Sequence, residues 1–401
     1  MLGEILSVAQ VTTKEELAGR LASGKPLRVK LGIDPTSSSV HLGHAVVLRM
    51  LRKFQDNGHT AVLIVGDATA CIGDPTGRTE TRPTLSLAQA RENAKTYLCQ
   101  ISKIIDTGKA EIHYNSGWFE RFGFGDALEL CAKITVQQVL NRNDFAQRME
   151  NEVPISLHEL MYPLMQAQDS VQVKADVELG GTEQLFNLML GRDFQKTAGQ
   201  SPQVCITLPI LVGTDGEKKM GKSLGNFIGL DDEPLEMFSK VMSIPDKLMP
   251  QWFDLLTDYG GKYITRDGDN NFVSPMQTKK MLALAIVENL HTKDTAVDTC
   301  KEWFQIHSER KDPTNISEIT LASAVHKELP AFQLLFSLGL VDSKNEARRL
   351  IEQGGITTST PIAPTEKVKV ESPFAMIPLA NGTIIRIGSR RVVQIKVDSN
   401  G

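Results

Sequence analysis

Residues 27–65 constrain the fold more than any other stretch. L-R-V-K-L-G-I at 27–33 reads as a strand that breaks at Asp34-Pro35. Residues 45–54 read as a helix with an apolar face (Val47, Leu48, Leu51, Phe54) and a basic one (Arg49, Arg52, Lys53). Asn57-Gly58 ends that helix, and A-V-L-I-V at 61–65 is apolar without interruption. A strand with no polar alternation is buried on both faces, as in a parallel sheet. Strand, polar loop, helix, turn and strand make a βαβ unit, so the expected class is α/β with a doubly wound parallel sheet.

Such sheets bind ligands beyond the carboxyl ends of their strands. Two polar stretches occupy those places, G-I-D-P-T-S-S-S-V-H-L-G-H at 32–44 and G-D-A-T-A-C-I-G-D-P-T-G-R-T-E-T-R at 66–82. His41 and His44 are spaced i, i+3 at a helix start, where free N–H groups and the helix dipole favour an anion and imidazole N–H donors add to them. Gly43 between them leaves room for a flat base against the backbone. A zinc pair would need a third ligand and an activating Glu, as in H-E-x-x-H; the segment offers neither, so no metal site is expected. The bland alternative is two helix-start histidines without a role. Further on, K-K-M-G-K-S at 218–223 packs three lysines and a hydroxyl into a loop with glycines at 216, 221 and 225. It is not a Walker A loop. A mobile cationic loop can nevertheless close over a triphosphate and neutralise departing pyrophosphate. A lysine cluster alone is more often a solvated surface; its pairing with H-x-G-H in one chain favours a nucleotide.

Composition limits the rest. At 401 residues the chain exceeds one ordinary core, and two or three domains are expected. A hydrophobic fraction of 41% and a charged fraction of 23% suit a soluble globular protein. Five dispersed cysteines without a C-x-x-C pair suit a reducing compartment, so a cytoplasmic location is expected. Neither an apolar run of about 18 residues nor a basic-then-apolar leader is present, and no membrane contact is expected. The net charge of −4 is unevenly divided: residues 331–401 carry nine Lys/Arg and six Asp/Glu, or +3, leaving −7 for the remainder. A basic tail on an acidic body hints at a polyanionic partner. Residues 233–308 alternate helical patterns with breaks, Ser274-Pro275 opening one helix, and 309–330 read as a polar linker. The last unit, 331–401, is expected to hold two short helices, one opened by a Ser343/Glu346 capping box, and strands near 383–387 and 392–397.

H-L-G-H and K-M-G-K-S resemble the two signature sequences of class I aminoacyl-tRNA synthetases, H-I-G-H and K-M-S-K-S. G-x-D-P-T at 32–36, I-G-D-P-T-G-R at 72–78, Y-P-L-M-Q-A-x-D at 162–169 and G-G-T-E-Q at 180–184 resemble, in order, the bacterial tyrosyl-tRNA synthetases. Residues 331–401 are similar to the S4-like RNA-binding module of that family. The resemblance implies a Rossmann-like catalytic domain over 1–227 with a helical insertion at about 83–165. An α-helical anticodon-side domain over 228–320 and a small α+β S4-like domain over 331–401 would follow. It further implies activation of L-tyrosine with ATP, transfer to the 3' end of tRNA(Tyr), Mg2+ accompanying ATP, no tightly bound cofactor, and a homodimer.

Carried over position by position, the resemblance puts Asp74, Tyr162 and Gln166 on the α-ammonium and Asp169 on the phenol O–H. Tyr162, Gln166 and Asp169 at i, i+4, i+7 share one helical face. Gln184 would orient the carboxyl end of tyrosine, while Gly32 and Asp34 shape the pocket floor. Thr36, His41 and His44 would meet the ATP phosphates, with Arg82, Lys219, Lys222 and Ser223 on the pyrophosphate side. Gly43, Glu183 (at the ribose) and Met220 complete the ATP contacts. The sequence departs from the family where its better-known branch has a tyrosine two residues before Gly32, as a second phenol ligand: here stands Lys30. Glu183 replaces an Asp, Gly221 the central serine, and Arg78 a lysine. Two other readings compete. Another H-x-G-H nucleotidyltransferase does not account for K-M-G-K-S together with an RNA-binding-like module. A non-catalytic RNA-binding paralogue would be expected to lose signature residues, and both histidines and both motif lysines are intact.

Overall fold

The βαβ unit forms as strand Arg28–Ile33, helix Leu42–Asp56 and strand Thr60–Val65. The two strands are parallel, with Arg28 opposite Thr60 and Ile33 opposite Val65. The helix begins three residues before the expected start because His41 caps it, and it buries Leu48, Leu51 and Phe54 completely. Each such side chain contributes roughly 1.5–3 kcal/mol relative to leaving it in water. The structure is a computed structural model describing residues 1–75, 85–260, 274–308, 316–321, 328–388 and 391–397. The chain groups into two units, Met1–Val297 and Asp298–Gly401.

In the first unit six strands form one sheet: β1 (Gln10–Thr12), β2 (Arg28–Ile33), β3 (Thr60–Val65), β4 (Glu111–Tyr114), β5 (Val177–Gly181) and β6 (Val204–Leu208). Their order is β1-β6-β5-β2-β3-β4, all parallel except the antiparallel edge strand β1. The chain runs outward from β2 through β3 to β4 on one side and from β5 to β6 on the other. The strand order therefore reverses at β2/β5, the place where an open α/β sheet leaves a crevice at its carboxyl edge. Strand β6 ends at Leu208, and Val212 pairs with Lys219 across the loop that follows.

The insertion expected at about 83–165 is not wholly helical, because β4 within it joins the sheet; the residues after β4 form short helices, Ser116–Phe119, Phe124–Cys131, Val136–Leu140 and Asn143–Glu150. Leu130, Val139 and Phe145 from this insertion share a core with Leu164, Ala167, Leu190 and Phe194 of the helices Tyr162–Val173 and Leu185–Thr197. After the sheet come helices Pro234–Met242, Met249–Leu256 and Pro275–Leu290, each with proline in its first turn, where the missing N–H costs nothing. Among the described residues no helix is long and apolar enough to cross a membrane.

The second unit contains a five-stranded sheet and a two-stranded one. Strands β7 (Ser317–Leu321), β9 (Ile356–Thr360), β10 (Ala363–Lys369), β12 (Ile384–Ile387) and β13 (Arg391–Val397) form the first; β8 (Glu328–Pro330) and β11 (Met376–Pro378) form the second. The 309–330 stretch is therefore not wholly a linker: β7 pairs in parallel with β13, and Ile319 and Leu321 pack against the core of this unit. Its alternating pattern is short and flanked by charge, which hid it from a periodicity reading. Helix Lys344–Glu352 starts at Ser343, whose hydroxyl accepts from Glu346 N at 3.1 Å. The capping box is one-sided, because the Glu346 carboxylate accepts from Asp342 N rather than from Ser343 N.

Candidate active site

Asp34 stands directly beyond β2, in the crevice. Its Oδ2 accepts from the Tyr162 hydroxyl at 2.9 Å and its Oδ1 from the Thr69 hydroxyl at 2.7 Å. Gly66, at the end of β3, has no choice of residue: a Cβ there would lie 2.0 Å from Asp34 Oδ1. Gly32 is exposed between the buried Leu31 and the half-buried Ile33, so the sheet surface is open at this point. Asn115, just past β4, donates through Nδ2 to Thr69 Oγ1 at 3.1 Å and to Asp169 Oδ2 at 3.3 Å, and Trp118 Nε1 donates to Asp169 Oδ1 at 3.0 Å. Burial pushes the Asp169 carboxyl up to about 7, opposed first by the Lys30 charge and then by the donors Asn115 and Trp118. The Tyr162 phenol is raised well above its ordinary value by burial and by the carboxylates of Asp34, Asp74 and Asp169, so it stays a donor.

The same helix face leads elsewhere at Gln166. Its Nε2 donates to Glu178 Oε1 at 3.1 Å, and its Oε1 accepts from Asn187 at 2.9 Å. Asn187 also donates to Gln184 Oε1 at 3.0 Å, and Gln184 Nε2 donates to Asp74 Oδ2 at 2.7 Å. Lys30 does not replace the missing phenol ligand. Its ammonium donates to the Gln166 carbonyl (2.9 Å), Ser170 Oγ (2.7 Å) and Glu178 Oε1 (2.9 Å), which uses all three N–H bonds beneath the Tyr162–Val173 helix.

On the opposite side of the crevice, His41 is the N-cap of its helix. Its Nδ1 accepts from Gly43 N at 3.2 Å, and His44 Nδ1 accepts from His41 N at 3.2 Å. With both Nδ1 atoms accepting, each neutral ring carries its proton on Nε2 as a donor. Burial lowers His41 to about 2, with the neighbouring His44 adding to the effect, and burial likewise lowers His44 to about 4. A Cβ on Gly43 would sit 2.9 Å from the His41 ring, so only glycine permits this cap. Gln100 from helix Leu87–Ile101 fixes the preceding loop, accepting from Val40 N at 2.6 Å and donating to Ser38 O at 3.0 Å. Thr36 lies in that loop, its N–H bonded to Asp34 O at 2.8 Å.

The lysine loop is brought to the histidines by the chain that leaves it. Leu42 N donates to Ile228 O at 2.9 Å and Leu230 N to Val40 O at 3.0 Å, with His41 and Gly229 bridged between them. Met220 is buried and its Cβ lies 3.8 Å from where a Cβ on Gly43 would stand. Lys219, Lys222 and Ser223 are exposed. Asn226 ties the loop together: Oδ1 accepts from Gly221 N at 2.9 Å, and Nδ2 donates to Asp215 Oδ2 at 2.8 Å and Lys219 O at 3.1 Å. Glu183 is exposed to solvent, yet its carboxyl is raised by the surrounding protein and the charge of Asp74, with Lys219 pulling the other way. Arg82 and Arg78 lie outside the described residues.

The crevice is therefore bipolar. Asp34, Asp74 and Asp169 set carboxylates around the Tyr162 hydroxyl, which suits a cation and a hydroxyl donor, while the neutral imidazole N–H donors and the exposed lysines suit phosphates. Thr69, Asn115, Trp118, Glu178 and Asn187 were not singled out from sequence. Asn115 carried a usable signal, since it follows a parallel strand directly on the ligand edge.

Comparison with known proteins identifies the family. The family model for tRNA synthetases class I (W and Y) matches residues 22–308. The chain is 45% identical over 386 residues to the tyrosine–tRNA ligase of Aquifex aeolicus, covering 96% of this chain and 95% of the relative. It is 46% identical over 400 residues to that of Symbiobacterium thermophilum, covering 98% and 95%. Among solved structures, the tyrosyl-tRNA synthetase of Archaeoglobus fulgidus complexed with L-tyrosine superposes with a TM-score of 0.59 at 23% identity, covering 75% of this chain and 98% of that one. The C-terminally truncated mitochondrial tyrosyl-tRNA synthetase of Aspergillus nidulans gives 0.64 at 22%, covering 76% and 93%; at such identities these two matches establish the fold. On its sequence and on the architecture of its crevice, the chain belongs to the tRNA synthetases of class I (W and Y).

Proposed function

We propose that this chain ligates L-tyrosine to tRNA(Tyr) in two steps. The tyrosine carboxylate attacks the α-phosphorus of ATP and pyrophosphate leaves; a terminal adenosine hydroxyl of the tRNA then takes the tyrosyl group from the adenylate. A carboxylate is nucleophilic at neutral pH, so the first step needs no general base, and positioning with charge stabilisation carries it. The observation that favours tyrosine is Asp169, a buried carboxylate whose two oxygens are oriented by Asn115 and Trp118. Ionised, it accepts a phenol O–H, and a site built for that bond rejects phenylalanine, for which tyrosyl-tRNA synthetase is itself a standard worked case.

In this reading Asp74, Tyr162 and Gln166 hold the α-ammonium, and Gln184 orients the carboxyl group. Gly32 and Asp34 form the floor, while Gly43 and Met220 border the nucleotide and Glu183 meets its ribose. Thr36 and the Nε2–H donors of His41 and His44 meet the phosphates. Lys219, Lys222, Ser223 and Arg82 stabilise the leaving pyrophosphate. Mg2+ is supplied with ATP and shields phosphate charge when bound. Among the described residues no three His, Cys, Asp or Glu side chains are placed to hold a metal ion together, and an ion held mainly by phosphate oxygens and water needs no protein cage.

The domain assignment proposed is 1–227 catalytic, 228–320 helical on the anticodon side except for strand β7, which joins the sheet of the last unit, and 331–401 S4-like and RNA-binding. Exposed Phe124, Leu128, Val136, Met149 and Leu157 on the helical insertion support a homodimer, and the reading implies a cytoplasmic enzyme. Amino-acid-dependent pyrophosphate exchange tests it: exchange with tyrosine alone is expected, and silence with tyrosine, or an equal signal with phenylalanine, overturns it.

A further inference from the structure

Gln166 and Gln184 are side-chain amides, and an amide can face either way; what matters is which atom points at the substrate. Asn187, 1% exposed, decides this for both. Its Nδ2 has two hydrogens, and both are used: one on Gln166 Oε1 at 2.9 Å, the other on Gln184 Oε1 at 3.0 Å. The orientation of Asn187 is in turn set by Arg142, whose guanidinium can only donate and does so to Asn187 Oδ1 at 3.0 Å. Arg142 is itself held in the helical insertion by Asp144 at 2.7 Å and lies over the ring of Phe145.

We infer that Arg142 and Asn187 form a positioning pair for the amino-acid end of the crevice, fixing the carboxamides of Gln166 and Gln184 so that an acceptor face and the Asp74 carboxylate converge on the α-ammonium. With Asn187 donating, Gln166 must present Nε2 to Glu178 and keep its carbonyl oxygen for Asn187 and one further donor, since a carbonyl oxygen has two lone pairs. Gln184 must likewise present Nε2 to Asp74, which holds that carboxylate in place. Neither Arg142 nor Asn187 touches the reacting atoms. Their effect is pre-organisation, which loses its value once a ligand group shifts by a fraction of an ångström. The inference rests on the tyrosine reading and adds to it the residues that aim its ammonium ligands.

Asn187→Leu keeps size and charge but removes both donors. It is expected to raise the KM for tyrosine in pyrophosphate exchange on the order of 10-fold or more. Inhibition by tyramine, which keeps the ammonium, should weaken in step. Inhibition by 4-ethylphenol, which keeps the phenol but lacks both the ammonium and the carboxylate, and the KM for ATP should stay near wild type. Arg142→Met should show the same pattern more weakly, and Arg142→Lys, which keeps a donor, should restore most of the affinity; these two variants also serve if Asn187→Leu does not fold. An unchanged tyrosine KM in Asn187→Leu, or parallel weakening of 4-ethylphenol, overturns the inference while leaving the function intact. A wild-type enzyme without tyrosine-dependent exchange overturns the function itself.

Discussion

Lys30 and Glu178 face each other in register on the parallel strands β2 and β5, with their charged groups 2.9 Å apart and both side chains closed to solvent. Glu178 also accepts from Ser170, Gln166 and Gln203, so the pair is the centre of a buried polar network under the tyrosine-side helix. Removing one partner strands the other charge. Lys30→Met is expected to cost about 3–5 kcal/mol. Lys30→Met combined with Glu178→Met should lie closer to wild type than Lys30→Met alone. Chemical denaturation of the single and double variants checks this; a double variant less stable than the single would show that the network acts through its neutral members.

Asp169 gives a pH dependence of substrate binding. Its carboxyl is raised to about 7 by burial, and the form that accepts a phenol O–H is the ionised one. Tyrosine binding therefore releases a proton below neutrality, and the KM for tyrosine should rise as pH falls, approaching 10-fold per unit well below pH 7. In Asp169→Asn the dependence should vanish, and Asp169→Ala should lose tyrosine/phenylalanine selectivity in pyrophosphate exchange. For stability the sign is opposite to that of an ordinary carboxylate: the protonated form is favoured on folding, so this group's contribution is full below the unfolded value and is lost as pH rises through about 7.

His41 and His44 should be silent in the pH profile. With values near 2 and 4, both rings are neutral throughout the working range, and exchange rates between pH 5.5 and 9 should show no inflection belonging to either. Substitution by alanine removes a donor that acts on charge developing at phosphorus, expected to lower kcat on the order of 10²–10³-fold with little change in tyrosine KM. A histidine-dependent inflection near pH 6.5, lost in His44→Ala, would contradict the neutral Nε2–H assignment.

Asn226 should matter for chemistry rather than for tyrosine binding. It is 3% exposed and holds the lysine loop through Gly221, Asp215 and Lys219. Asn226→Ala is expected to lower the exchange rate on the order of 10-fold while leaving tyrosine affinity unchanged, the cost of about one lost buried hydrogen bond in loop placement. Single-turnover adenylate formation and equilibrium tyrosine binding separate the two effects.

The local architecture was legible where sequence spacing alone determines it. The βαβ unit followed from the uninterrupted apolar strand at 61–65 and the strand–loop–helix–turn order before it, and the shared face of Tyr162, Gln166 and Asp169 from helical periodicity. Where those three side chains go was not legible. Tyr162 turns to Asp34, Gln166 to Glu178 and Asn187, and Asp169 to Asn115 and Trp118, all partners set by tertiary packing. Lys30 read as a gap in the phenol site because its partner lies 148 residues away. A signal existed, though: V-K-L and V-E-L each set one charge between apolar neighbours in the two strands on either side of the switch point, and opposite charges buried in neighbouring strands must meet.

The stitching of 228–230 onto 40–42 gives the lysine loop a fixed circumference. Its entrance is tied to the sheet through β6, and its exit is tied to the very residues that open the histidine helix. Lys219 and Lys222 thus ride on a tethered ring, not a free arm. A chain with both ends pinned has little volume to explore, so these cations stay at high local concentration near the histidine helix. Lengthening the ring would dilute them without altering a single residue that meets the substrate.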